Sequence, residues 1–275
     1  MASLTAHARV DMDAVAAILR DVAATEIMPR FRNLQSSDIR EKNPGDLVTV
    51  ADEASERVLT ARLRDLLPGS IVVGEEACAA DPALVRHLAH AAEPAWIIDP
   101  VDGTHNFAHG KPVFGLLLAL SQGGQAKAGW IYDPVGDRMA MVEVGEGAWM
   151  AGQRLTAKPA APIPQMQGSL STKFFPPEER QRLDKLRPHF ADTYRLFCAA
   201  HDYLNLLTGI GQFAMYNRIM PWDHAAGTLA YAEAGGHVAK FDGTPYRAAD
   251  VDGGLLMAPD LVTWTGLRDF IFPEI

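Results

Sequence analysis

Val15, Ile18, Leu19 and Val22 recur at helical spacing, so residues 11 to 30 read as an amphipathic helix with one inward stripe. A second helix begins near Thr49. There Thr49 and Asp52 form a T-x-x-D capping signature, and Val58, Leu59, Leu63 and Leu66 supply an apolar face until "LLPGS" ends it. The period then changes. Short apolar runs at Ile71–Val73 and Ala95–Ile98 read as strands, each followed by acidic residues. From Val113 to Gly152, apolar runs separated by "SQGGQ", "DPVGD" and "GEG" predict consecutive strands in a largely antiparallel meander.

Beyond the meander, strand and helix alternate. "GSLSTKF", "TYRLF", "FAMYNRI" and "HVAKF" read as strands; a charged helix over 176–188, a helix near 199–208 and one from Trp222 to Ala234 lie between them. Gly235 and Gly236 suit the stop of the last helix, because glycine accepts the left-handed conformation that closes a final turn. The proline-rich "KPAAPIPQMQG", residues 158–168, resists regular structure and reads as a linker. A boundary there divides the chain into residues 1–160 and 161–275, both of ordinary domain size. No internal repeat or low-complexity tract interrupts this order.

Composition narrows the classes. Apolar residues at 48% and charged residues at 21% describe a globule able to bury a core. No stretch approaches the roughly 18 apolar residues of a membrane span, and "MASLTAHARVDMDA" lacks the apolar run of a secretory leader, so a cytoplasmic location and no membrane contact are expected. Cys78 and Cys198 stand far apart without ligand-like spacing and are expected to be reduced, packed thiols. A net charge of −9 with no Lys/Arg block argues against a direct grip on nucleic acid. A small anionic substrate still fits if cations supply positive charge locally.

Acidic residues at strand ends carry the chemistry. In "WIIDPVDGTHNF", Asp99 follows a run of buried character and Pro100 removes a backbone donor, so the strand is expected to stop and turn there. Asp102, Gly103 and Thr104 then bring a carboxylate, backbone freedom and a hydroxyl to one place. Hard divalent cations prefer such oxygen donors. An Asx-turn would explain a lone pair of aspartates equally well. Two further junctions favour a shared site: "IVVGEE" with Glu75 and Glu76, and "YNRIMPWDHAAG" with Asp223 at a helix start.

"GDLVTVADEASE", "GEE", "WIIDPVDGTHNF" and "PWDHAAGTLAYAEAGG" together resemble the signature segments of the inositol monophosphatase family, across most of the chain. The resemblance implies a layered α/β/α/β/α sandwich, commonly a homodimer, with its metal site where the two halves meet. It implies a Mg²⁺-dependent phosphomonoesterase working by metal-activated water attack. Two magnesium ions, or three, would bind: one at Glu75, Asp99 and the Val101 carbonyl, another at Asp99, Asp102 and Asp223. Glu75 and Thr104 would orient water or accept its proton, with Asp52 aligning the Thr104 hydroxyl. Backbone around Gly103 and Thr104 would hold phosphate oxygens.

The remaining polar residues are weighed against plainer roles. Glu56 reads as a cap or a solvated charge, and Glu76 as a neighbour of the site. His105 and His109 read as surface or phosphate-proximal groups, His224 as space-filling, and Trp96 and Trp222 as core. Lys42 in "KNPGDLVT" approximates the family's mobile-loop lysine, at a spacing off by one from a common form.

Substrate identity is less legible. The inositol-specific pattern places an acidic residue seven before the "WD" aspartate, and Tyr216 stands there instead. Tyrosine offers one donor where a carboxylate offers two acceptor oxygens, which weakens inositol selectivity. "FCAAHDYLN" puts Ala199, His201, Asp202 and Tyr203 near the leaving group; Asp202 either meets a cationic or hydroxylated group or acts as a helix N-terminal charge. Asp102, Gly103, Thr104, Ala199, Asp202, Tyr216 and Asp223 form the expected substrate contacts. The expected substrate is a small polyol or amino-alcohol phosphate, inositol monophosphate first, histidinol phosphate next and 3′-phosphonucleotides third. A non-catalytic regulatory binding protein is the alternative from another class.

Overall fold

The computed structural model describes residues 10–90 and 92–274; residues 1–9, where the absence of a leader is read, lie outside them. Helix α1 (Met12–Val22) continues into a π-helical turn over Ala23–Ile27. Asp11 starts it by accepting the N–H groups of Asp13 and Ala14 at 3.0 Å. A hairpin of β1 (Ile39–Asn43) and β2 (Asp46–Thr49), not anticipated from the sequence, leads into α2 (Val50–Leu66). Its strands are short and partly exposed, which leaves little apolar alternation to read. At the start of α2 the expected capping box forms: Asp52 accepts the Thr49 N–H at 2.9 Å, and Thr49 Oγ1 accepts the Ala51 N–H at 3.2 Å.

After β3 (Ile71–Gly74) come two short helices, α3 (Glu75–Ala80) and α4 (His87–His90), then β4 (Ala95–Asp102) and α5 (Thr104–Ala108). The meander follows as β5 (Gly115–Gln122), β6 (Gln125–Asp133), β7 (Arg138–Glu143), β8 (Gly147–Met150) and β9 (Gln153–Arg154). Strands β3 to β9 form a seven-stranded sheet in chain order. Only β3 and β4 pair in parallel; each later pair is antiparallel.

The expected strand stop at Asp99 needs correction. β4 runs on to Asp102, but its pairing slips: Asp99 faces Leu117 and Asp102 faces Gly115, so three steps of β4 match two of β5. One extra residue therefore sits in β4. In a regular strand, residues three apart point to opposite faces. The bulge re-aims them, and it accommodates Pro100, which has no N–H to give a ladder.

The second sheet has five strands in the order β11-β10-β12-β14-β13. Its elements are β10 (Gln167–Leu170), α6 (Pro177–Asp184), β11 (Asp192–Tyr194), α7 (Ala199–Leu207), β12 (Phe213–Tyr216), α8 (Pro221–Glu233) and β13 (His237–Ala239), as the alternation predicted. Strand β14 (Leu255–Ala258) and helix α9 (Leu261–Ile271) extend it beyond that expectation.

Three apolar cores separate five layers. Leu116, Leu118 and Trp130 pack against Val15, Leu19 and Leu59 of α1 and α2. On the other face of the same sheet, Leu117, Ala119 and Ile131 meet Tyr203, Leu206 and Ala226 of α7 and α8, which also cover Ala214 and Met257 of the second sheet. Phe213, Met215 and Leu256 then meet Trp264 and Leu267 of α9. The order is α/β/α/β/α. A sheet covered on both faces explains why "LLLAL" in β5 is continuously apolar rather than alternating. Among the described residues, no helix is long and apolar enough to cross a membrane.

Candidate active site

Asp99 and Asp102 on β4 and Asp223 in the first turn of α8 converge: each offers one carboxylate oxygen within 4.8 Å of the others'. Asp99 and Asp102 are buried. Burial pushes all three carboxyl groups above the usual range, and mutual repulsion adds to the shift at Asp99 and Asp223. A trio of carboxylates, two of them buried and Asp223 half-buried, is costly without a counter-cation. Hard oxygen donors at this spacing suit a divalent ion, and magnesium fits them by chemistry. The plainer Asx reading holds as well, because Asp99 Oδ1 accepts the Val101 N–H at 3.1 Å.

Asp102 has a second duty. Its Oδ2 accepts the Ala200 N–H at 2.6 Å and lies 3.0 Å from Cys198 Sγ. Burial and this carboxylate hold the thiol proton in place, so Cys198 donates. Cys198 was expected only to pack, and no spacing in the sequence reveals this contact. Gly103, at φ 87°, makes the turn between β4 and α5; a Cβ there would lie 3.0 Å from the Val113 carbonyl.

Glu75 lines the same cavity but stands outside the tight trio. Lys42 Nζ reaches its Oε1 at 2.8 Å and Glu76 Oε1 at 3.0 Å. Those two carboxylates raise the Lys42 pKa against the opposing effect of burial. The imperfect motif spacing understated Lys42. Burial, with repulsion from Glu75, pushes Glu76 up to about 8.

Thr104 Oγ1 lies 3.0 Å from both Asp52 Oδ1 and the Val101 carbonyl oxygen. Asp52 is 1% exposed, and burial pushes it up to about 7 despite its hydrogen bonds to Thr49 and Thr104. It reaches the cavity only through Thr104. The Val101 carbonyl stands behind Thr104, within hydrogen-bond reach of the same hydroxyl that Asp52 can accept from.

Glu56 corrects its reading as a solvated charge. It is 7% exposed, and its carboxylate accepts the N–H groups of Glu76 and Ala77, both at 2.8 Å, at the start of α3. Gly74 makes room for it: a Cβ there would fall 2.3 Å from Glu56 Cδ. The helical position of Glu56 concealed this role, because its partners are backbone groups 20 and 21 residues away.

Asp202, Tyr216 and Ala199 line the cavity, whose volume is about 480 Å³. Asp202 Oδ2 accepts from Ser169 Oγ at 2.9 Å and Tyr216 Oη at 2.8 Å, while its buried Oδ1 has no partner. Burial pushes Asp202 up to about 7. His105 is at the cavity edge and stacks on His109 at 4.2 Å. His224 is fully buried, its Nδ1 2.9 Å from Tyr203 Oη, and burial lowers it to about 4. His201 Nε2 lies 3.2 Å from the Phe114 carbonyl oxygen, on the structural side of the wall. Lys173, Phe174, Arg195, Phe197 and Arg218, none of them singled out from the sequence, also line the cavity. Their one sequence signal is position: Lys173 and Arg218 follow closely on β10 and β12.

The layers and the acidic trio define an α/β protein with an acidic cleft between its two sheets, of a chemistry that suits a cation. The chain belongs to the inositol monophosphatase family, whose family model matches residues 9–265. Members of that family are magnesium-dependent phosphatases. The chain is 34% identical over 217 residues to an inositol-1-monophosphatase of Mesorhizobium japonicum, covering 78% of this chain and 79% of that one. It is 30% identical over 226 residues to the Nus factor SuhB of Pseudomonas aeruginosa, covering 78% and 80%. An IMPase structure from Thermotoga maritima aligns at a TM-score of 0.78 and 27% identity, over 95% of this chain and 98% of that one.

Proposed function

We propose that the protein is a phosphoric monoester hydrolase that uses magnesium and acts on a small hydroxylated leaving group, with inositol monophosphate the first substrate to test. The observation that carries this reading is the convergence of buried Asp99 and Asp102 with half-buried Asp223 in the wall of a cavity of small-molecule size. Asp99, Asp102 and Asp223 would hold one magnesium ion, and Glu75, Asp99 and the Val101 carbonyl would hold another, for which Glu75 would exchange its contact with Lys42 for the ion. Magnesium supplies Lewis acidity for water activation and neutralises phosphoryl charge.

The chain's own groups do the rest. Thr104 has a single hydroxyl proton and two oxygen neighbours at 3.0 Å. With Asp52 ionised, Thr104 donates to it; with Asp52 protonated, the carboxylic acid donates to Thr104, which then donates to Val101. That pair, with Glu75, is placed to take a proton from attacking water. Gly103 permits close approach of phosphate to the backbone. Asp202 offers its free Oδ1 to a hydroxyl or ammonium of the leaving group, and Tyr216 and Ala199 shape that wall. Histidinol phosphate and 3′-phosphonucleotides are the next substrates in order.

A homodimer and a cytoplasmic location belong to the same reading, and light scattering on the purified chain tests the first. The SuhB relative supports a second reading, a regulatory binding protein, because its name assigns it a Nus-factor role. A phosphate-release panel over inositol, histidinol, sugar and nucleotide monoesters, with magnesium or with EDTA, separates the two. Magnesium-dependent turnover that Asp99→Asn abolishes is expected. Magnesium binding without any turnover leaves the binding protein.

A further inference from the structure

Glu41 and Lys42 are neighbours on β1 and so face opposite sides of the β1–β2 hairpin. Lys42 meets Glu75 and Glu76. On the other side, Ile39, Glu41 and Leu47, which pairs opposite Glu41, line a second groove of about 390 Å³ whose far wall is His105, Ala108 and His109. No proposed metal ligand or catalytic residue lines this groove, although Gly45, Leu47 and His105 also border the larger cavity.

His105 and His109 stand one turn apart at α5, where the His109 backbone N–H reaches the His105 carbonyl at 3.3 Å. Their rings stack with centroids 4.2 Å apart and planes 25° from parallel. His109 Nδ1 lies 2.7 Å from the His105 carbonyl oxygen. A carbonyl only accepts, so Nδ1 carries the proton and Nε2 presents its lone pair. Metal-ligating histidines commonly make this bond from the other ring nitrogen, because it fixes the tautomer and the ring. Burial, with His109 alongside, lowers the His105 pKa and favours the neutral imidazole that can ligate.

A tetrahedral ion about 2 Å from each nitrogen needs the two nitrogens roughly 3.3 Å apart, which a modest ring rotation from this stack provides. Glu41 supplies a third donor across the groove. Its Oε1 accepts the Gly45 N–H at 2.5 Å, and Oε2 remains for an ion.

We propose that His105 Nε2, His109 Nε2 and the Glu41 carboxylate form a second metal site, for zinc or a similar transition-metal ion, that pins the β1–β2 hairpin to α5. Water fills the remaining coordination position. The donor chemistry separates it from the acidic trio: imidazoles suit zinc, nickel and copper, whereas carboxylates suit magnesium. The ligands come from two elements, so the ion cross-links to α5 the hairpin that carries Lys42. The site stands independently of the phosphatase reading.

Zinc titration of the full-length chain tests it, read by calorimetry in saturating magnesium so that the acidic trio stays occupied. His105→Gln, His109→Gln and Glu41→Gln are each expected to weaken zinc binding by at least about tenfold, the loss that even an outer-shell partner causes. All three positions are exposed, so the variants are expected to keep the wild-type melting temperature without zinc. Copper(II) reports the donors directly: its electron paramagnetic resonance spectrum is expected to show coupling to two nitrogens in the wild type and to one in either histidine variant. No zinc bound by the wild type, wild-type zinc affinity in any one variant, or the same nitrogen coupling in the histidine variants overturns the site. Magnesium-dependent phosphate release is untouched by any of those results.

Discussion

The carboxylate of Asp102 accepts the backbone N–H of Ala200 at 2.6 Å, which fastens the acidic end of β4 to the first turn of α7. The same side chain belongs to the trio with Asp99 and Asp223. One residue thus joins the first sheet to the central helices and contributes to the site.

That double role separates two substitutions. Asp102→Ala is expected to abolish turnover and, in EDTA, to lower stability by about 1 kcal/mol through loss of the helix cap. Asp99→Asn is also expected to abolish turnover, yet to leave stability in EDTA equal or higher, because it removes one repelling charge and keeps the oxygen that accepts from Val101. Denaturant titrations of the two variants check the contrast.

Magnesium is expected to raise the melting temperature of the wild-type chain. Binding to the native state alone stabilises it by about 2.7 kcal/mol at a hundred times Kd. Asp223→Asn should blunt the rise, and a thermal shift independent of magnesium in the wild type would contradict the site.

Asp202 predicts a pH dependence. Its carboxyl is raised from 3.8 to about 7 by burial, so between those values the folded state holds a proton that the unfolded state releases. Its contribution is fully present below pH 3.8 and is lost as pH rises through about 7. Asp202→Asn should flatten that part of the stability profile in EDTA. An unchanged slope would place the titration elsewhere.

Gly74→Ala tests the Glu56 cap. A Cβ would fall 2.3 Å from Glu56 Cδ, against a carboxylate already engaged by Glu76 and Ala77. A loss of about 1–3 kcal/mol is expected from the displaced carboxylate and overpacking. Activity should fall as well, since Glu75 is the first residue of the helix so capped. Circular-dichroism melts and phosphate release measure the two effects.

Thr104→Val preserves shape and removes the hydroxyl shared by Asp52 and Val101. A fall in kcat of about a hundredfold is expected with little change in KM, and Thr104→Ser should restore most of it. Equal kcat for the valine and serine variants would remove the hydroxyl from the proton path.

Local chemistry was the legible part of this protein. The spacing of Val15, Ile18, Leu19 and Val22, the Thr49–Asp52 cap and the turns of the meander each depend on residues a few positions apart, and each appears as expected. The acids at Glu75, Asp99, Asp102 and Asp223 stood out by their recurrence at strand ends and helix starts; the last three converge, and Glu75 lines the same cavity. The β1–β2 hairpin and the β14–α9 pair carried weaker patterns and were not anticipated.

Sequence alone determined which side chains form strands, caps and acidic strand ends, since backbone propensity and hydrophobic period act over one or two turns. Tertiary structure decided the rest: a one-residue bulge turned Asp99 and Asp102 to one side, layer packing brought Asp223 to them, and distant backbone groups buried Glu56. It also gathered Lys173, Arg218 and Phe174 at the mouth of the cleft. Those relationships join groups far apart along the chain, so they arise only once apolar burial has brought the two sheets onto their shared helices.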